Sequence, residues 1–195
     1  MYRNLITLLL IQFIFIGCKK NSPNNDNEII FDILYTDIDP DSTVVAPTVS
    51  DSFSYYYFDL NNDEIDDFRF GLRHWYTFVS PSCCDNYYNK IESLNNNKIT
   101  GDESTFGHCA QPLFVNDTID NCLYWATSST LLAKVEFSNL CPWDWPDRFI
   151  GLKLVVSNDT LYGWIRLNAD YSEILIKEYA INKASNMPII AGQIE

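Results

Sequence analysis

The chain has 195 residues, with 26 acidic against 13 basic side chains, a formal net charge of −13, and 47% apolar and 15% aromatic residues. That length and apolar content suffice for one domain with a real core. A surface so acidic argues against nucleic acid, whose binding needs a basic stripe, and suits a domain that binds divalent cations.

At the N-terminus, Tyr2-Arg3 is a short basic region and Leu5 to Ile16 is almost wholly apolar. The run falls short of the ~20 residues a bilayer span needs and reads as a secretory signal. It ends at Phe15-Ile16-Gly17-Cys18, which resembles the lipobox of bacterial lipoproteins, with Phe15 where Leu is more usual. The resemblance implies cleavage before Cys18 and diacylglycerol on its thiol, with fatty acids such as palmitate anchoring the chain to the outer membrane without spanning it. An ordinary signal peptide with a chance cysteine is the competing reading. Removing residues 1–17 leaves 178 of 195 and takes the charge from −13 to −14, because Arg3 goes and no acid does. Residues 18–28, rich in Asn, read as a flexible tether. Residues 29–195 are then one domain.

Ile29 to Ile38 is β-branched and aromatic, and stops at the turn signal Asp39-Pro40-Asp41. Ser52 to Phe58 and Phe68 to Phe78 are strands around the acidic stretch Asp59-Leu60-Asn61-Asn62-Asp63-Glu64-Ile65-Asp66-Asp67. There, side-chain oxygens recur at Asp59, Asn61, Asp63 and Asp67, and the carbonyl of Ile65 falls between them. This 1-3-5-7-9 spacing lets oxygens converge on a hard cation, most naturally Ca2+, which takes roughly 6–8 of them. Without a cation the carboxylates repel one another, so the ion would staple the flanking strands. An EF-hand would carry Glu at position 12, where Phe70 stands. The stretch resembles instead the short D-x-N-x-D-G-x-x-D loops of FG-GAP and related extracellular repeats, with Glu64 in place of the Gly. If Glu64 must be left-handed, that substitution costs roughly 1–2 kcal/mol. The competing reading is a solvated acidic turn with no metal.

Asn86 to Leu94 alternates weakly and ends at Asn95-Asn96-Asn97. Residues 101–121 read as a long pinned loop with a short strand at Leu113 to Val115, and Leu131 to Phe137 as another strand. Cys83, Cys84, Cys109, Cys122 and Cys141 agree with an extracytoplasmic address and, being five, leave at least one unpaired within the chain. A bridge from Cys83 or Cys84 to Cys109 and another from Cys122 to Cys141 are expected, although sequence does not fix connectivity. Zinc on Cys83, Cys84, His108 and Cys109 is disfavoured, since vicinal ligands lack the usual C-x2-4-C spacing.

Arg148 to Val156 puts Ile150, Leu152, Leu154 and Val156 on one face and Lys153 on the other. Leu161 to Leu167 does the same with Leu161, Ile165 and Leu167 against Tyr162, Trp164 and Arg166. Glu173 to Ile181 completes an antiparallel meander. No apolar stripe of helical period appears in residues 29–195, so the fold class is all-β, an antiparallel β-sandwich with long loop insertions. Thr36-Asp37-Ile38-Asp39-Pro40-Asp41, the acidic loop, Phe149-Ile150-Gly151-Leu152-Lys153, Tyr162-Gly163-Trp164-Ile165-Arg166 and Pro188-Ile189-Ile190-Ala191-Gly192 together resemble a family of uncharacterised secreted or lipid-anchored bacterial β-proteins. That family has a D-x-N-x-D-G loop and a Y-G-W-[IAV]-[RK] strand. The resemblance carries no activity or substrate.

No nucleophile elbow, metalloprotease helix or phosphate-cradling Gly loop is present. His74 and His108 are the only histidines. Trp143 and Trp145, in the proline-bounded Cys141 to Asp147, are suited to stacking on sugar rings, though capping the sandwich edge is the commoner use of such residues. The leading expectation is a non-enzymatic, Ca2+-braced envelope protein with a surface or interaction role. A glycan-binding module on Trp143 and Trp145 is the alternative, a carbohydrate-active hydrolase a more distant one. The partners implied are the membrane and a glycan or envelope protein.

Overall fold

The computed structural model describes residues 31–79, 82–102, 109–135, 138–141 and 147–195. Thirteen strands are β1 (Ile33–Val45), β2 (Ser52–Phe58), β3 (Phe68–Val79), β4 (Ser82–Ser93), β5 (Lys98–Thr100), β6 (Thr118–Ile119), β7 (Trp125–Ala126), β8 (Ser128–Val135), β9 (Ser138–Leu140), β10 (Arg148–Val156), β11 (Asp159–Ala169), β12 (Glu173–Asn182) and β13 (Ile189–Ile190). No helix occurs among the described residues, and none there is long and apolar enough to cross a membrane. The chain is all-β, with antiparallel sheets packed face to face.

One sheet runs β1-β12-β11-β10-β5-β7 and the other β2-β3-β4-β8-β9, with a two-stranded ribbon β13-β6 beside them. Period-2 alternation accounts for the first sheet. Ile150, Leu152, Leu154, Ile165, Leu167, Ile174 and Ile176 are buried against Phe58, Phe68, Phe70, Leu72 and Ile91 of the second. Phe58 meets Tyr179 edge-on across the interface at 4.8 Å.

The meander β10-β11-β12 forms as the alternation predicts, with Ile150 opposite Ile165 and Trp164 opposite Ala180. On the opposite face Tyr162 and Trp164 belong to a separate core with Leu113, Ile119, Phe149, Ile189 and Ala191. The ribbon, in which Ile189 pairs with Ile119, lies over them. Both faces of this sheet are therefore covered.

Asp39-Pro40 does not end β1. The peptide is cis and sits in an irregularity between Asp37 and Ser42, after which pairing with β12 resumes. Because β1 is an edge strand, the missing proline N–H leaves no ladder bond unmade. The expected strand at Leu113 to Val115 is a single bridge, Leu113 to Phe149.

The cysteine pairing is corrected. Cys109 bonds Cys141, not Cys83 or Cys84, and Cys141 is therefore not joined to Cys122. Cys122 is itself disulfide-bonded, and Cys84 is a buried free thiol. With Cys109 so committed, the zinc set is gone.

Candidate functional site: the acidic loop

The acidic loop joins β2 to β3, and the two strands pair down to Phe58 opposite Phe68 at its mouth. Leu60, the second loop residue, is fully buried in the inter-sheet core. It reaches β11 at Gly163, where an added Cβ would stand 3.3 Å from Leu60 Cδ2 and 2.6 Å from the Ala180 carbonyl oxygen. A side chain at 163 would first have to displace the β12 backbone at Ala180, and would also press on Leu60.

Within the loop the carboxylates serve the backbone. Asp59 Oδ1 accepts the N–H groups of Asn61 and Asn62 at 3.2 and 2.7 Å, and Oδ2 accepts that of Glu64 at 2.7 Å. Asp63 Oδ1 accepts from Ile65 N–H at 2.9 Å, and its Oδ2 from the Asn61 side-chain amide at 3.0 Å. The Asn61 side-chain oxygen takes the Asp63 N–H at 3.0 Å. These nested turns carry Asn62 and Glu64 into the left-handed region at φ 61° and 69°. Glu64 thus has the conformation for which Gly is the usual residue.

Asp67 is different in kind: it is 5% exposed. Its Oδ2 accepts Leu60 N–H at 2.9 Å and its Oδ1 the Asn97 amide at 3.0 Å. Burial pushes its pKa up to about 6; the two hydrogen bonds oppose that shift and the charges of Asp59 and Asp63 add to it. Among the described residues no Lys or Arg forms an ion pair with Asp59, Asp63 or Asp67. Asn97 closes a longer connection, since its Oδ1 accepts Val155 N–H of β10 at 3.0 Å. Sequence reasoning missed Asn97 and Leu60. The run Asn95-Asn96-Asn97 reads only as a turn, and Leu60 is one apolar residue inside a polar stretch.

No group of three or more His, Cys, Asp or Glu among the described residues stands in an arrangement that could hold a metal. Each carboxylate oxygen offers about two lone pairs. Asp59 Oδ2 and both oxygens of Asp63 and of Asp67 each accept one bond in the loop, which leaves acceptor capacity on each. The donor set of three carboxylates, the Asn61 amide oxygen and a main-chain carbonyl fits a hard cation in kind, but uptake would require Asp59 and Asp63 to turn toward Asp67. The loop as it stands is an amide-satisfied acidic turn docked on the opposite sheet.

Trp143 and Trp145, like Cys18, His108 and Ile29, lie outside the described residues. His74 is nearly buried and contacts Asp85 through Nε2 at 3.0 Å. Arg166, expected beside Tyr162 and Trp164, pairs with Glu178 at 2.8 Å and Asp147 at 3.1 Å. Comparison with protein-family models, with curated proteins and with solved structures finds no match.

Proposed function

We propose that the protein is a non-enzymatic, lipid-anchored domain of the bacterial cell envelope with a surface or interaction role. On this reading Cys18 carries the lipid and the Asp59–Asp67 loop takes up one structural Ca2+. The observation that supports the cation is electrostatic. Burial first, and then the charges of Asp59 and Asp63, push Asp67 up to about 6, and no cationic side chain among the described residues pairs with the three. A divalent ion would remove that repulsion and, through Leu60 and Asn97, tighten the junction of the two sheets. The apolar run ending at Cys18 and the disulfide Cys109–Cys141 support the extracytoplasmic address.

A thermal melt of the folded chain with Ca2+ or with EGTA tests the cation. At a Ca2+ concentration 100-fold above Kd the ion adds ~2.7 kcal/mol, which for a chain of this size is a rise of roughly 5–10 °C. Asp63→Ala should abolish the rise. No shift in the native protein, or the same shift in Asp63→Ala, would remove the cation from the proposal and leave the membrane address to be judged on its own.

A further inference from the structure

One face of β3 loses its cover along its length. Phe68, Phe70 and Leu72 are fully buried and His74 is 9% exposed, whereas Tyr76 and Phe78 on the same face are 58% and 78% exposed. The cause is topological. β2 pairs with β3 no further than His74, and β8 with β4 no further than Tyr87. Between these limits Trp75–Val79 of β3 and Ser82–Asn86 of β4 pair with each other and, among the described residues, with no other strand, as an arm extending past both neighbours.

At the base of the arm four rings make a row. Tyr76 meets His74 edge-on at 4.8 Å, His74 stacks on Tyr87 at 4.7 Å, and Tyr87 lies 5.9 Å from Tyr171. Tyr87 and Tyr171, with Asp170 and Ser172 of the β11–β12 turn, line an open groove of about 320 Å3, at the lower end of the range for small-molecule sites.

The polar groups around this row are mostly acceptors. Asp85, half-exposed, touches His74 at 3.0 Å. Asp170 uses Oδ1 to hold its own turn, accepting from Ser172 and Glu173 N–H, and no described group engages its Oδ2. Beneath them Asn89 is fully buried. Its amide donates to the Asp170 carbonyl at 2.5 Å, while its Oδ1 has no partner among the described residues. A buried acceptor left unmade costs free energy that a bridging water would recover.

We infer that this groove, from Tyr171 and Tyr87 along the arm to Tyr76, binds a neutral saccharide. A pyranose ring presents an apolar C–H face that rests on aromatic carbon and a rim of hydroxyl donors that suits Asp85 and Asp170. Among the residues described as lining the groove there is no Lys or Arg, and its carboxylates repel acidic sugars. A lipid acyl chain would gain from Phe78 and Tyr76 but would leave the acceptors unmatched. The site is separate from the acidic loop and does not depend on the cation reading.

Isothermal titration in EGTA with cellohexaose, maltohexaose, xylohexaose, mannohexaose and an alginate hexasaccharide tests it, alongside vesicle flotation and sedimentation of the protein alone. At least one neutral hexasaccharide should bind. Its affinity should fall about tenfold in Tyr171→Ala, the loss expected of one stacked ring. Affinity should survive in Tyr171→Phe, which keeps the ring, and in Tyr57→Ala, which removes an exposed ring elsewhere. Binding to none of the neutral sugars, stronger binding of alginate, or equal weakening by Tyr57→Ala would overturn the inference. So would vesicle binding or self-association lost in Phe78→Ser without any saccharide binding.

Discussion

The carboxylate of Asp67 meets the side-chain amide of Asn97 at 3.0 Å, and Asn97 passes the connection on to Val155 N–H at the same distance. A buried acid at the mouth of a hairpin in one sheet is thereby joined, through one asparagine, to a strand of the other. Asn97→Ala leaves both ends unsatisfied and should lower stability by about 2–4 kcal/mol, measured by urea unfolding. Asn97→Asp keeps the acceptor for Val155 but sets a second carboxylate against Asp67. Its penalty should be larger at pH 7 than at pH 5; a pH-independent penalty would show that Asp67 is not charged there.

Asp67 itself predicts a pH dependence in the metal-free protein. Its folded pKa, about 6, lies above the ordinary 3.8, so the folded state holds the proton more tightly than the unfolded. This contribution is fully present below pH 3.8 and is lost as pH rises through about 6, on the order of 2–3 kcal/mol. In EGTA, stability should therefore carry a downward component from pH 4 to pH 6 that Asp67→Asn lacks. Parallel profiles for the two proteins would refute the assignment.

Glu64 sits at φ 69° with only its N–H engaged, to Asp59. Glu64→Gly should relieve the left-handed strain and stabilise the fold by about 1 kcal/mol, offset in part by the greater freedom of glycine in the unfolded chain. If the loop takes Ca2+, the same change should tighten the apparent Kd, because the backbone is then free to settle around the ion. Destabilisation by Glu64→Gly would mean that the Glu64 side chain contributes something its exposure does not suggest.

The thiols should behave unequally. Breaking Cys109–Cys141 by Cys141→Ser releases a loop with 32 residues of separation and should cost about 2–4 kcal/mol. Cys84 is buried, so iodoacetamide should label it only under denaturing conditions, as peptide mapping of the unreduced protein would read. Labelling of Cys84 in the native protein at the rate of a free thiol would contradict its burial.

What could be read from the residues divides along physical lines. The β10-β11-β12 meander was legible because Ile150, Leu152 and Leu154 face a continuous core, so the period of 2 is written into the chain. The β6–β13 ribbon was not, since two-residue strands carry no period and Ile119 finds Ile189 only in three dimensions. Pro40 read as a stop because a turn and an edge-strand irregularity use the same residues. The acidic stretch announced its own turns at Asp59 and Asp63. Its anchorage was silent, because Leu60 over Gly163 and Asp67 on Asn97 are tertiary contacts between ordinary residue types. Cysteine connectivity stayed open because five thiols admit many pairings and spacing alone does not choose among them.

Gly71 on β3 allows the ring of Tyr55 to lie close across it, 3.0 Å from where a Cβ would stand. Arg69 and Arg73 rest over Tyr55 and Phe53 nearby, at 4.9 and 5.5 Å. β2 is the open margin of its sheet, the sort of border along which β-proteins stick to one another. Both arginines are also ion-paired, Arg69 with Glu92 and Arg73 with Asp51, so charged groups rather than bare apolar rings lie along this border. Such a margin is poorly suited to zipping onto that of a second copy.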